Sequence, residues 1–87
     1  MFQILFTKTV VKNDLPALTK SARLLIGRAI KSRLSTSPLR YGKPLRDSWS
    51  GYRRLRVSFY RIIYRVDMDI NTVTVVAIRG RKDVYLA

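Results

Sequence analysis

The sequence predicts an α+β fold: an N-terminal strand, then one or two helices, then an antiparallel β-meander of three or more strands. Three observations predict it. These are an apolar run, FQILF, at residues 2–6, apolar residues at helical spacing between residues 18 and 34, and three strand-like segments after residue 51. A run of strands that follows the helices is typical of helices packed on one face of a sheet. With 87 residues, the chain is expected to form one domain, 1–87.

The first half of the chain predicts one strand and one long helix. Residues 2–6 read as a short buried strand, and residues 7–13 as either a first short helix or a turn. Asp14 is the expected N-cap of the long helix, with Pro16 in its first turn. Pro38 ends this helix, because a proline disfavours the helical conformation of the residue before it. The expected apolar face of the helix comprises Leu18, Ala22, Leu25, Ile26, Ala29, Ile30 and Leu34.

The second half predicts a connecting segment at 39–51 and then strands at about 52–57, 60–66 and 72–79, with a turn at 67–71. If Ser58 and Phe59 form a two-residue hairpin turn, Val57 lies opposite Tyr60 and Arg56 lies opposite Arg61. Because side chains alternate between the faces of a strand, one face is apolar and faces the helix. Its members are Leu55, Val57, Tyr60, Ile62 and Tyr64. The other face carries Arg54, Arg56, Arg61 and Arg65.

Positive charge dominates the composition. Twelve Arg and six Lys stand against five Asp, for a net charge of +13. Like charges directly opposite one another destabilise a sheet, so folding alone does not favour Arg56 opposite Arg61. A bound polyanion, nucleic acid first among them, would offset that repulsion. The alternative is a solvated face whose arginine stems cover apolar neighbours. Arginine rather than lysine favours the first interpretation, because its planar fork grips phosphate through two bonds.

Cys, His and Glu are absent from the sequence. Disulfides and cysteine- or histidine-based zinc sites are therefore excluded, and so is the usual near-neutral general base. We expect no metal and no cofactor. The longest strictly apolar run, VVAI at 75–78, is too short to span a membrane. The first sixteen residues lack the features of a secretory signal, so a cytoplasmic location is expected.

Two segments carry a family resemblance: KPLRDSWSGYRRLRVSFYRIIYRV, and VTVVAIRGRKDVY after it. A Leu-Arg-Val strand, a tight turn, a Tyr-Arg-aliphatic-aliphatic-Tyr strand and an Arg-Lys-Asp-Val-Tyr ending resemble the RelE/ParE superfamily of bacterial and archaeal toxins. The N-terminal strand and the amphipathic helix fit the same pattern. The resemblance implies a RelE-like fold over nearly the whole chain.

The resemblance also implies a toxin of a type II toxin–antitoxin system. RelE-like members are ribosome-dependent endoribonucleases that cut messenger RNA without a metal, whereas ParE-like members poison DNA gyrase. We predict a messenger-RNA interferase, with the gyrase poison as the alternative and an inactive basic module as a third possibility. The implied partners are a cognate acidic antitoxin, messenger RNA on the ribosome, and operator DNA through the antitoxin complex.

Site residues follow from the same resemblance. The candidate catalytic residues are Arg54, Arg56, Arg61, Arg81 and Tyr85. The candidate RNA-binding residues are Arg53, Arg65, Arg79 and Lys82. Either Arg81 or Arg79 matches the late arginine of the family. Tyr85 is either the general base or a ring that stacks on a base of the substrate, and Lys82 or an arginine is the acid.

Remaining polar and aromatic residues have weaker assignments. Trp49 and Phe59 are candidate antitoxin anchors, and Trp49 as a lid on the core is an equal alternative. Asp47, Asp67 and Asp69 are expected to be turn residues rather than catalytic ones.

Overall fold

The computed structural model describes residues 1–80 and has the expected α+β architecture. Its strands are β1 (Gln3–Phe6), β2 (Lys43–Pro44), β3 (Arg53–Val57), β4 (Tyr60–Asp67) and β5 (Thr72–Gly80). The main helix α1 (Lys20–Ala29) continues as a π-helical segment, Ile30–Leu34. A π-helical turn at Val10–Asp14 and a 3₁₀ turn at Asp47–Trp49 complete the elements. Within this part of the chain, no helix is long and apolar enough to cross a membrane.

The start of α1 differs from the prediction. Thr19, not Asp14, is the N-cap: it has extended backbone angles, and its Oγ1 accepts a hydrogen bond from the Ala22 N–H at 3.1 Å. This side chain satisfies one of the N–H groups that the first turn of a helix leaves unpaired. Asp14 is the last residue of the preceding π-helical turn. The prediction for Asp14 was wrong because a Thr closer to the helix competes for the same role.

The five strands form one sheet in the order β1-β5-β4-β3-β2. β3, β4 and β5 are the predicted antiparallel meander. β1 pairs in parallel with the first half of β5, from Gln3 opposite Thr72 to Phe6 opposite Val75. β2 was predicted as part of a connecting segment, since Pro44 argues against a strand. It forms because a proline is tolerated at the edge of a sheet, where β2 pairs with β3.

A β-bulge interrupts the pairing of β4 with β5. Tyr64 lies opposite Val75 whereas Ile63 lies opposite Ala77, so Val76 is an extra residue in β5. Such an insertion reverses the alternation of side chains beyond it. Nothing in the sequence pattern of 72–79 marks the position of this bulge.

The core lies between α1 with its π-helical continuation and one face of the sheet. It contains Ile26, Ile30 and Leu34 from the helix, and Leu55, Val57, Ile62, Tyr64, Val73, Val75 and Ile78 from the strands. Leu25, predicted to belong to the buried face, is 43% exposed, so the buried stripe is narrower than the apolar stripe. β1, predicted to be buried, is also more exposed, with Leu5 and Phe6 partly in solvent. The opposite face of the sheet has no helix over it among the elements described.

Candidate functional site

The β3–β4 hairpin has the predicted register. Val57 lies opposite Tyr60 and Arg56 lies opposite Arg61, joined by the two residues Ser58 and Phe59. Ser58 has a φ of 54°, and Phe59 is not among the residues with positive φ. Positive φ at the first central residue alone is typical of a type II′ turn, whose twist matches that of the flanking strands. The hairpin therefore directs its arginines to the open face of the sheet as expected.

Three arginines lie directly opposite one another on three neighbouring strands. Arg56 of β3 pairs with Arg61 of β4, and Arg61 pairs with Arg79 of β5. We call these three residues the arginine row. Neighbouring strands are about 4.8 Å apart, and like charges directly opposite one another destabilise a sheet. The row concentrates charge at a cost to folding, which is the arrangement expected of an anion-binding surface.

The bulge at Val76 completes the arginine row. In an unbroken strand, residues 73, 75, 77 and 79 would share one face, and Arg79 would face the core beside Val75. After the extra residue, Ile78 faces the core and Arg79 joins the open face. Bulges that re-aim a side chain are frequent at functional sites.

Further cations extend the row into a basic face. Lys43 of β2 lies opposite Arg54, and Arg65 lies on β4 two alternations beyond Arg61. We use the name basic face for the arginine row together with Lys43, Arg54 and Arg65. Within residues 1–80, Arg79 is the member of this face that forms an ion pair. The others remain available to an external anion.

Asp14 supplies the partner of Arg79. Its Oδ1 accepts a hydrogen bond from Arg79 Nη1 at 3.0 Å, and its Oδ2 accepts one from the backbone N–H of Ile78 at 2.9 Å. β1 pairs with β5 only as far as Val75, so the Ile78 N–H lies at a free stretch of sheet edge. The carboxylate of Asp14 satisfies a backbone donor that β1 does not reach, and it fixes the neighbouring arginine as well.

Arg53 lies on the other face of β3, away from the arginine row. Its Nη2 donates to the carbonyl oxygens of Leu39 and Gly42 at 2.9 and 3.2 Å. These bonds hold the loop that leads into β2. That Arg53 binds RNA stays a prediction. Its Nη2 group is already used in hydrogen bonds to the loop.

The hydroxyl of Tyr64 binds the same loop from the core side of the sheet. It lies 2.8 Å from the carbonyl oxygens of both Pro38 and Tyr41, and the side chain is fully buried. Burial raises the pKa of Tyr64 above its usual value, although a hydrogen bond and the positive charge of Arg53 act in the opposite direction. Tyr64 therefore serves as a neutral hydrogen-bond donor inside the core.

Three candidate residues, Arg81, Lys82 and Tyr85, lie outside the described residues, and so does the choice between Arg79 and Arg81 as the late arginine. Of the remaining candidates, Arg54, Arg56, Arg61, Arg65 and Arg79 come together on the basic face. Sequence reasoning missed Lys43 and Asp14. Lys43 was not assigned to the sheet because Pro44 argued against a strand there. The role of Asp14 depends on a contact with a residue 64 positions away in the chain.

The exposed aromatics lie at turns. Phe59 is 65% exposed at the tip of the β3–β4 hairpin, and Trp49 is about half exposed in the 3₁₀ turn, where its ring packs edge-on against Tyr52. Trp49 is thus not a lid on the core. Asp67 is a turn residue as predicted, because its Oδ1 accepts the N–H of Asp69 at 3.0 Å.

Known proteins share this fold and sequence pattern. Residues 5–85 match the family described as the ParE toxin of the type II toxin–antitoxin system parDE. Toxin RelG of Mycobacterium tuberculosis is 33% identical over 84 residues, which is 97% of this chain and 95% of that protein.

Solved structures give the same result. The RelBE2 toxin–antitoxin complex from M. tuberculosis has a chain that superimposes with a TM-score of 0.86 and 32% identity, over 92% of this chain and 98% of that one. The isolated RelE toxin of E. coli shares the fold, with a TM-score of 0.76 at 18% identity, over 99% and 93% of the two chains. A family match over most of the chain, together with a relative above 30% identity, establishes membership: this chain belongs to the RelE/ParE superfamily of type II toxin–antitoxin toxins.

Proposed function

We propose that this toxin is an endoribonuclease that cleaves messenger RNA on the ribosome. The observation that carries the proposal is the arginine row, because Arg56, Arg61 and Arg79 crowd three positive charges onto adjacent strands. Such a surface is suited to a phosphate that gains charge during reaction. The likeness to proteins named RelG and RelE favours the RelE-like branch, for which the resemblance implies messenger-RNA cleavage.

The proposed reaction is attack by a ribose 2′-hydroxyl on the adjacent phosphorus. The new P–O2′ bond forms as the P–O5′ bond breaks, leaving a cyclic phosphate and a 5′-hydroxyl. A base takes the 2′-hydroxyl proton, and an acid supplies one to O5′. Arginines of the row stabilise the phosphorane charge, an effect of about 3 kcal/mol for one well-placed donor.

The two proton transfers are the part of the scheme in which Tyr85 and Lys82 are proposed to act. Tyr85 is the candidate base or stacking group, and Lys82 or an arginine is the candidate acid. Arginine is a poor base because its pKa lies above about 12. A tyrosine close to several arginines has its phenolate favoured, which suits the base.

An acidic antitoxin is the proposed protein partner. The similar M. tuberculosis chain was solved in a toxin–antitoxin complex. A net charge of +13 on 87 residues offers strong attraction to an acidic segment. Operator DNA is proposed as a partner of that complex rather than of the toxin alone.

The test uses purified toxin and ribosomes programmed with a defined messenger RNA, with cuts mapped by primer extension. Wild type should give discrete cuts within the translated region. Arg61→Ala should slow single-turnover cleavage at saturating ribosomes by about 10²- to 10³-fold, because its partner charge arises only in the transition state.

Arg28→Ala is the matched control. Arg28 is exposed on α1, away from the basic face, and its loss changes the net charge by the same amount. This variant should cleave at nearly the wild-type rate. If wild-type protein arrests growth in cells but leaves messenger RNA uncut, the proposed endoribonuclease activity is rejected.

The second candidate is a poison of DNA gyrase, which is favoured by the ParE description of the matching family. It predicts intact messenger RNA, stalled replication and gyrase-linked DNA breaks after induction. A supercoiling assay with purified gyrase separates the two, since an interferase leaves the gyrase reaction unchanged.

A further inference from the structure

We propose that Asp14 is a positioning residue for RNA binding: it turns the Arg79 guanidinium so that the Nε–Nη2 edge faces the phosphates bound by the arginine row. The inference rests on the proposed function, because it takes RNA as the ligand of the basic face. Asp14 itself does not touch the ligand and acts through Arg79.

The carboxylate of Asp14 is held rigidly. The residue is 8% exposed and ends the π-helical turn that packs against β5. Its Oδ2 is anchored by the backbone N–H of Ile78 at 2.9 Å, so the group cannot follow a moving arginine. Its Oδ1 therefore offers Arg79 a fixed point.

The guanidinium of Arg79 is oriented by one nitrogen. Nη1 donates to Asp14 Oδ1 at 3.0 Å and lies 3.4 Å from the carbonyl oxygen of Ile78. The three N–H groups on Nε and Nη2 are not used in these two bonds. That edge is a planar fork of the kind that binds phosphate through two parallel hydrogen bonds. The Arg79 side chain is 47% exposed, so a ligand can reach it.

Charge alone and pre-organisation predict opposite effects of Asp14 on RNA affinity. An acid beside an RNA site should weaken binding, and its removal should strengthen it. Pre-organisation predicts weaker binding on removal, because Arg79 must then lose side-chain freedom when RNA binds. Ordering one long side chain corresponds to a change in affinity of about 3- to 10-fold. The sign of the effect therefore distinguishes the two explanations.

The decisive variant is Asp14→Asn. Its amide oxygen still accepts the Ile78 N–H, whereas its NH₂ group faces Nη1 of Arg79 and repels it. We expect the Kd for a short single-stranded RNA oligonucleotide, measured by fluorescence anisotropy at fixed salt, to rise about 3- to 10-fold. Tighter binding by this variant would overturn the proposal.

Asp67→Asn is the matched control. It raises the net charge by one as well, and the Asp67 Oδ1 also accepts a backbone N–H, that of Asp69. Asp67 lies at the far end of β4 from the arginine row. Its affinity for the same oligonucleotide should equal or exceed that of wild type.

A double-mutant cycle tests whether Asp14 acts through Arg79. In the Arg79→Ala background, Asp14→Asn should no longer weaken binding, and it should tighten it slightly through charge. Equal weakening in both backgrounds would mean that Asp14 only supports the fold, and the proposal would fail. Circular dichroism and thermal unfolding of each variant report on folding separately.

If Asp14→Asn does not fold, Arg79→Lys provides the test. It keeps the charge and loses the fork, so affinity should fall about tenfold; unchanged affinity would overturn the proposal. Wild type that binds the oligonucleotide but cuts no messenger RNA would reject the proposed function alone. Wild type that does not bind the oligonucleotide, but still cuts messenger RNA on programmed ribosomes, would reject the role of Asp14 in RNA binding and leave the proposed function in place.

Discussion

At the residue scale, two polar side chains, the buried Tyr64 and the half-buried Arg53, hold the loop that leads into β2. The hydroxyl of Tyr64 and the guanidinium of Arg53 together bind four carbonyl oxygens between residues 38 and 42. Gly42 has a φ of 73°, and a Cβ there would collide with the Tyr64 hydroxyl and approach the Arg54 carbonyl oxygen to 2.9 Å. These contacts fix the conformation of the loop that places Lys43 in β2.

Tyr64→Phe tests this arrangement. Loss of the hydroxyl removes a buried hydrogen bond worth about 1 kcal/mol, which corresponds to a fall in Tm of about 4–8 °C for a domain of this size. Tyr60→Phe is the control on the same strand, since Tyr60 is only partly buried and its hydroxyl forms no hydrogen bond within residues 1–80. Its Tm should change little, and an equal fall in both variants would contradict this role of Tyr64.

The same variant gives a pH dependence. Burial raises the pKa of Tyr64, so the folded state keeps its proton where the unfolded chain, near pH 10, begins to lose it. The stabilisation is complete below pH 10 and is lost as pH rises through the folded-state pKa. Chemical unfolding between pH 8 and 11 should therefore show the advantage of wild type over Tyr64→Phe shrinking above pH 10. A constant difference across that range would contradict the assignment.

At the element scale, the site depends on two departures from regular strand geometry. The hairpin turn places Ser58 in the left-handed region, and the bulge at Val76 reverses the alternation of β5. The first sets Arg56 opposite Arg61, and the second adds Arg79. The arginine row is therefore a product of a turn and a bulge as much as of three strands.

Ser58→Gly should stabilise the protein. Left-handed backbone angles at a non-glycine residue cost about 1–2 kcal/mol of folding free energy. The greater freedom of glycine in the unfolded chain cancels about half of the gain from removing that strain. The expected gain is roughly 0.5 kcal/mol, or a rise in Tm of about 2–4 °C by calorimetry. Ser50→Gly, at a φ of −56°, gains no such relief and should lower the Tm. A lower Tm for Ser58→Gly would count against a strained turn.

Sequence reasoning succeeded where local patterns decide the structure. The alternation in 53–66 was sufficient to predict the register of the hairpin and the face of Arg54, Arg56, Arg61 and Arg65. It failed where one residue or one distant contact decides. No local pattern marks Val76 as the bulged residue. Asp14 contacts Arg79 because β1 does not pair with β5 beyond Val75, and this depends on the folded sheet rather than on the local sequence.

At the scale of the whole molecule, the two sides of the sheet differ in kind. One side is covered by α1 and its continuation, and the other presents the basic face, where Asp14 is the acid that pairs with the arginine row among residues 1–80. Asp67 lies at the distant end of β4. Such an asymmetric charge steers polyanions towards one side of the molecule.

Neutralisation by an acidic partner follows from that asymmetry. Expression of the toxin alone should arrest growth, and co-expression of the adjacent small open reading frame should restore it, because an acidic, partly disordered segment can fold onto the basic protein. Growth is measured by colony counts after induction. If the toxin alone is harmless, or if it arrests growth and neither neighbouring gene restores it, the proposed partnership fails.

The parallel pairing of β1 with β5 has a consequence for synthesis. Residues 3–6 meet residues 72–75, so the first strand made must wait for the last described strand before the sheet can close. Contacts between such distant segments slow folding, because a long loop has to close before they form. The arginine row needs Arg79 from the same late strand. A nascent chain therefore cannot assemble the basic face until translation has passed β5.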